Sequence, residues 1–80
     1  MSSILDIIFR TFYPVIMIVN NRLRELRKNK TLTQEELGKA VGVTRQTIIS
    51  IENQEYIPTT LLSLKIAKYF KVRVEEIFWL

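Results

Sequence analysis

One stretch near the middle of the chain leaves few folds open: Gln34-Glu-Glu-Leu-Gly-Lys-Ala-Val-Gly-Val-Thr-Arg-Gln-Thr-Ile-Ile-Ser-Ile-Glu-Asn53. Just ahead of it, Thr33 stands three residues before Glu36. That is the spacing of a capping box, in which the Thr hydroxyl accepts from the third helical amide and the Glu carboxylate reaches back to the cap amide. Leu37, Ala40 and Val41 recur at helical spacing and give this helix a buried side. Gly42 follows where a left-handed C-cap is needed. Thr44 is placed to cap again, and Ile48 and Ile51 mark the core side of the next helix, over residues 45–53. Two short capped helices joined by a tight turn bury their apolar sides by crossing at a steep angle. Gly38 allows the close approach, and Leu37, Val41, Val43, Ile48 and Ile51 lock the pair. The second helix then presents its amino-terminal end and outer edge to solvent.

The flanking sequence reads as further helices around this pair. After Asn20 or Asn21 as a cap, Leu23, Leu26 and Leu32 face inward, while Arg22, Arg24, Arg27, Lys28 and Lys30 decorate the rest; residues 29–31 end this helix. Residues 53–58 form a loop. Thr59 caps a fourth helix whose Leu61, Leu62, Leu64, Ile66, Ala67 and Phe70 make it the main core element. Residues 72–80 are short and partly β-branched, and suit either a single helical turn over 75–78 or a terminal strand. With 80 residues the core is thin, folding stability is a few kcal/mol, and association of two copies would add buried apolar surface.

Residues 1–19 are mostly apolar but interrupted by Asp6, Arg10 and Pro14. They are too short for a spanning helix, which needs ~20 apolar residues, and lack the charged start and small-residue cleavage site of a secretory signal. Three readings stay open: a helix packing on the domain or on a second subunit, a weak membrane-surface anchor, or a leader outside the functional unit. The last is preferred, with residues 1–16 as leader, Met17 as the natural start and residues 17–80 as the domain, because everything from Met17 onward makes a complete unit.

The chain has no Cys and no His, and only two Gly. Disulfide scaffolds, thiolate zinc sites, haem attachment, Cys or His catalysis and Gly-rich phosphate loops are thereby excluded. The expectation is a protein without cofactor or metal that is not an enzyme. Twelve Lys and Arg against eight Asp and Glu give a net charge of +4, which favours a polyanion, either nucleic acid or an anionic membrane. The outer edge of the second central helix carries Arg45, Gln46, Thr47, Ile49, Ser50 and Asn53. Arg bonds guanine O6 and N7 bidentately, Gln does the same to adenine N6 and N7, and Ile or the Thr methyl can touch a thymine methyl. A merely solvated helix face is the alternative, disfavoured because the edge sits behind two caps and a Gly turn of the right length.

These residues resemble the phage repressor and Cro-like, or xenobiotic-response-element type, helix-turn-helix family. The resemblance spans residues 20–78. It is carried by Arg22-Leu-Arg-Glu-Leu-Arg27, Leu32-Thr-Gln-Glu-Glu-Leu37, Val41-Gly-Val-Thr-Arg-Gln-Thr-Ile48, Ile51-Glu-Asn53, Pro58-Thr59 and Leu64-Lys-Ile-Ala-Lys-Tyr-Phe70. In length and ending the chain is similar to the family's small stand-alone regulators, such as the cytolysin-type repressor. Gly38, where the family has mostly Ala, is a mild departure, and the leader has no counterpart.

The resemblance implies an all-α, compact five-helix, lambda-repressor-like DNA-binding domain. It implies a cytoplasmic transcriptional regulator, a repressor acting as a homodimer on a near-palindromic double-stranded operator, with membrane association not expected. Arg45, Gln46, Thr47 and Ser50 are the expected base contacts, and Gln34, Thr44 and Asn53 the backbone contacts. Arg27 is expected to pair with Glu52, worth about 0–1 kcal/mol if the pair lies on the surface. Residues 17–20 are strand-like and would pair with residues 77–80 in a tiny sheet, Phe78, Trp79 and Leu80 then offering apolar contact to a second subunit. The alternative for Trp79 is a cap on its own core.

Overall fold

Local chemistry sets the helix boundaries. In the computed structural model, which describes residues 18–80 together with Ile4 and Leu5, a short strand β1 (Asn20–Asn21) leads into α1 (Leu23–Asn29). There follow α2 (Gln34–Val41), α3 (Arg45–Glu52), α4 (Thr60–Phe70), a one-turn α5 (Val74–Ile77) and β2 (Phe78–Trp79). The readings made for the leader and for Met17 lie outside the described residues.

Thr33 Oγ1 accepts from the Glu36 amide at 3.0 Å while Glu36 Oε1 accepts from the Thr33 amide at 2.8 Å, completing the capping box. The Thr33 amide also holds the Glu36 carboxyl below its ordinary pKa. Gly42 closes α2 in the left-handed region at φ 80°, a conformation without a Cβ penalty only for glycine. Thr44 and Thr59 cap α3 and α4 by accepting from the amides of Thr47 and Leu62. α1 starts differently: Arg22 is the cap position without a side-chain bond, and Asn21 Oδ1 one residue earlier accepts from the Leu23 amide at 3.0 Å.

The core is Leu23, Leu37, Val41, Ile48, Ile51, Leu62, Ile66, Ala67, Phe70 and Ile77, with Leu26, Leu32, Val43 and Phe78 packed at its margin. Three expected core positions are corrected. Leu61 and Leu64 are 64% and 54% exposed. A helix turns about 100° per residue, so Leu62, Ile66 and Phe70 line one face of α4 while Leu61 and Leu64 fall on the opposite one. Ala40 is also exposed; Leu37 and Val41 already fill the buried stripe of the two-turn α2.

The two alternatives for residues 72–80 both form, one after the other. Glu76 Oε1 accepts from the Arg73 amide at 3.3 Å to start α5, and the chain then extends into β2, which pairs antiparallel with β1 as Asn20↔Trp79 and Asn21↔Phe78. The described pairing is shorter than the span expected, because Ile77 remains helical with its side chain fully buried. β1 is also tied to the centre of the fold: Asn21 Nδ2 donates to the Ile51 carbonyl at 2.9 Å, and the Arg22 amide donates to the Ile77 carbonyl at 3.0 Å.

Candidate nucleic-acid interface

α2 and α3 meet closely because Gly38 lacks a side chain. A Cβ there would stand 2.7 Å from the Val43 carbonyl oxygen and 3.2 Å from the Thr44 carbonyl carbon. The Gly38 carbonyl itself accepts from the Val43 amide at 2.8 Å. This contact seats the turn directly on α2 and fixes the direction in which α3 leaves it. Gly38 is therefore needed for the close approach; the turn is packed where a methyl group would stand.

With Ile48 and Ile51 buried, the other edge of α3 faces solvent. Arg45 and Gln46 are exposed, Thr47, Ile49 and Ser50 are half-buried at the margin, and Asn53 is exposed at the C-cap. An open cleft lies on each side of this edge. One brings Arg45 together with Thr33, Gln34 and Glu35 at the start of α2. The other brings Gln46, Thr47 and Ser50 together with Thr44, Glu55 and Tyr56. Glu55 and Tyr56 were not singled out in the sequence, where they read only as loop. Thr44 and Thr47 are also linked through their hydroxyls at 3.2 Å, which fixes both side chains at the first turn of α3.

Beneath this edge lies a buried ion pair. Arg27 Nε donates to Glu52 Oε2 at 2.7 Å and Nη2 to Oε1 at 3.2 Å, with the side chains 10% and 0% exposed. Arg27 Nη1 donates to the Leu32 carbonyl at 2.8 Å. Glu52 Oε1 accepts further from Arg24 Nε and from Gln34 Nε2, each at 3.2 Å. Burial pushes the Glu52 carboxyl up, but hydrogen bonds from Arg27, Gln34 and Arg24 and the charge of Arg27 outweigh it and hold the group below its ordinary pKa. One carboxylate thus ties α1, α2 and α3 together. The surface-pair magnitude does not apply, because removing one partner of a buried pair strands the other charge.

Gln34 is half-buried, with part of its amide committed to Glu52. Asn53 Oδ1 accepts from Arg24 Nη2 at 3.0 Å. In the sequence Arg24 is one of the charges that decorate the first helix; its spacing of one helical turn before Arg27 is the signal that places both on one side of α1.

At the terminal sheet Phe78 turns to its own core, while Trp79 and Leu80 stay exposed. The Arg22 guanidinium lies over the Trp79 ring, 5.2 Å from its centroid. Among the described residues no group of three or more His, Cys, Asp or Glu could hold a metal ion, and no helix is long and apolar enough to cross a membrane.

Residues 23–77 match the helix-turn-helix family. The chain is 48% identical over 62 residues to the uncharacterized HTH-type transcriptional regulator YgzD of Bacillus subtilis, covering 78% of this chain and 94% of that one. It is 50% identical over 60 residues to an uncharacterized HTH-type transcriptional regulator of Methanocaldococcus jannaschii, covering 75% and 91%. Among solved structures it resembles the restriction-modification controller protein C.AhdI of Aeromonas hydrophila. The TM-score is 0.62 with 31% identity, over 68% of this chain and 78% of that one.

Proposed function

This chain belongs to the Cro/C1-type helix-turn-helix family of DNA-binding transcription regulators, and from that premise we propose that it is a repressor working as a homodimer on a near-palindromic operator. The observation that carries the reading is the solvent-facing edge of α3, with Arg45 and Gln46 exposed behind a turn packed on Gly38. Arg45, Gln46, Thr47 and Ser50 read base edges in the major groove. Gln34 and Thr44, at the starts of α2 and α3, and Asn53, at the end of α3, set the register on the phosphate backbone. Occupancy of a promoter then blocks polymerase. The protein acts in the cytoplasm as a binder and not as an enzyme, and residues 17–80 are its working unit.

The dimer reading is supported by Trp79 and Leu80, apolar side chains exposed beside a sheet that has two strands among the described residues. A two-fold dimer places its α3 helices about one helical turn of DNA apart, so the half-sites repeat at that spacing.

The test is selection of bound sequences from a random duplex pool. Symmetric half-sites are expected among the winners. Arg45→Ala or Gln46→Ala should then cost about 1–3 kcal/mol on the selected site and relax base preference at one position of each half-site. An unselected pool, or full affinity in both variants, would remove the assignment of this edge. Sedimentation of Leu80→Asp against the unchanged chain tests the dimer: equal mass at all concentrations rejects an interface at Trp79 and Leu80.

A further inference from the structure

We propose that the open cleft beside the first turn of α1 is a second contact site for the phosphodiester backbone of duplex DNA, carried by Arg24 and flanked by Arg22 and Lys28. The proposal rests on the DNA-binding reading above and enlarges its footprint.

The argument begins with charge. Glu52 carries one negative charge, and two guanidinium groups bond to it. Arg27 alone serves both carboxylate oxygens and is itself buried. Gln34 supplies another donor. The bond from Arg24 is therefore surplus to neutralising the carboxylate, and one positive charge is left over. It resides on Arg24, because the Arg24 side chain is 51% exposed and that of Arg27 is 10% exposed. The cleft of about 570 Å³ into which it opens is lined by Arg22, Arg24 and Lys28, against Glu25 and the already compensated Glu52. The local balance is positive.

Geometry gives the second part. A surface arginine ordinarily samples many rotamers and loses that freedom on binding. Arg24 is already held at two points, Nε to Glu52 Oε1 at 3.2 Å and Nη2 to Asn53 Oδ1 at 3.0 Å. The rest of its planar fork is open to solvent, in the arrangement that suits a phosphate. It shares Glu52 Oε1 with Gln34 and bonds directly to Asn53. Arg24 thus stands between the two backbone-contact positions proposed at the start of α2 and the end of α3. Arg22 is held against Trp79 on the far wall of the same cleft. A duplex that meets Gln34 and Asn53 through its backbone, as proposed above, would meet Arg24 between them.

The full chain is titrated against a fluorescent random-sequence duplex between 50 and 200 mM salt, because phosphate contacts persist without a specific sequence. Arg24→Gln is expected to lower the slope of log affinity against log salt by about 0.9 for each bound protomer. The penalty is then about 3.5-fold larger at 50 mM than at 200 mM. Arg24→Lys, which keeps the charge but not the fork, is expected to restore most of the slope whatever it does to the melting temperature. An Arg24→Gln protein whose affinity falls equally at every salt concentration, or not at all, overturns the proposal and leaves Arg24 a structural partner of Glu52. Should Arg45→Ala relax base preference while Arg24→Gln leaves the salt slope intact, this inference alone fails. A parent chain that binds neither random nor selected duplex at low salt removes both.

Discussion

Arg27→Met separates a buried charge pair from a surface one. Methionine keeps most of the apolar stem and removes the guanidinium, so the bonds to both Glu52 oxygens and to the Leu32 carbonyl are lost together. The Glu52 carboxylate is then left with the half-exposed Arg24 guanidinium as its charged partner and Gln34 as its other donor. Removing one member of a buried pair costs about 3–5 kcal/mol. Those two surviving donors place this case at the low end, about 3 kcal/mol. A domain of some 60 residues holds roughly 3–9 kcal/mol in total at about 0.05–0.15 kcal/mol per residue, so the variant should lie near the edge of stability. Its melting temperature, followed by circular dichroism, should fall by roughly 12–24 °C. Adding Glu52→Met to Arg27→Met removes the stranded charge, and the double variant should be more stable than the Arg27→Met single variant. A single variant losing under about 1 kcal/mol, as exposed pairs do, or a double variant no better than the sum of the two singles, would refute the reasoning.

Acid should act through the same carboxylate. Because the Glu52 pKa is lowered in the fold, the unfolded chain binds more protons at low pH. The contribution is complete above the ordinary value of 4.5 and is lost as pH falls below it through the folded value. Glu52→Gln should flatten that acid-side decline in urea midpoints, and an unchanged slope would contradict it. Gly38→Ala gains about 1 kcal/mol of helix propensity but drives a methyl to 2.7 Å from the Val43 carbonyl, an overpacking that costs about 1–3 kcal/mol; a net loss near 1 kcal/mol is expected, and an equal or higher denaturation midpoint would show that the turn can yield. Thr31 and Lys71 hold φ of 55° and 57°, which costs side chains other than glycine about 1–2 kcal/mol. Replacing either by Gly should therefore raise the melting temperature, Thr31→Gly more because Thr is β-branched.

What the sequence made legible was chiefly what local chemistry decides. Thr33, Glu36, Gly42, Thr44 and Thr59 act within one turn of themselves, and each forms the cap its spacing implies. Leu61, Leu64 and Ala40 misled because apolar character says that a residue can be buried, whereas the side a helix turns inward is set by its neighbours. The Arg27–Glu52 pairing joins residues 25 apart and entered through family resemblance, not spacing. Its burial, which changes its energetic weight, appears only once α1, α2 and α3 are packed. Arg24 and Tyr56 were overlooked for the complementary reason: a charge on a polar face and an aromatic in a loop carry no periodic signal, and their placement beside α3 is a product of the tertiary fold.

The β1–β2 clasp joins the two ends of the domain, with Asn20 Nδ2 donating to the Leu80 carbonyl at 3.3 Å. Opposed tension on those ends would load its rungs one after another, beginning with Asn20 and Trp79, and not all at once in shear. The domain should therefore yield at low force in an optical trap, unzipping from its terminal seam while the contact of α2 with α3 is still intact. Any fluorophore pair attached at the two ends would report that first opening.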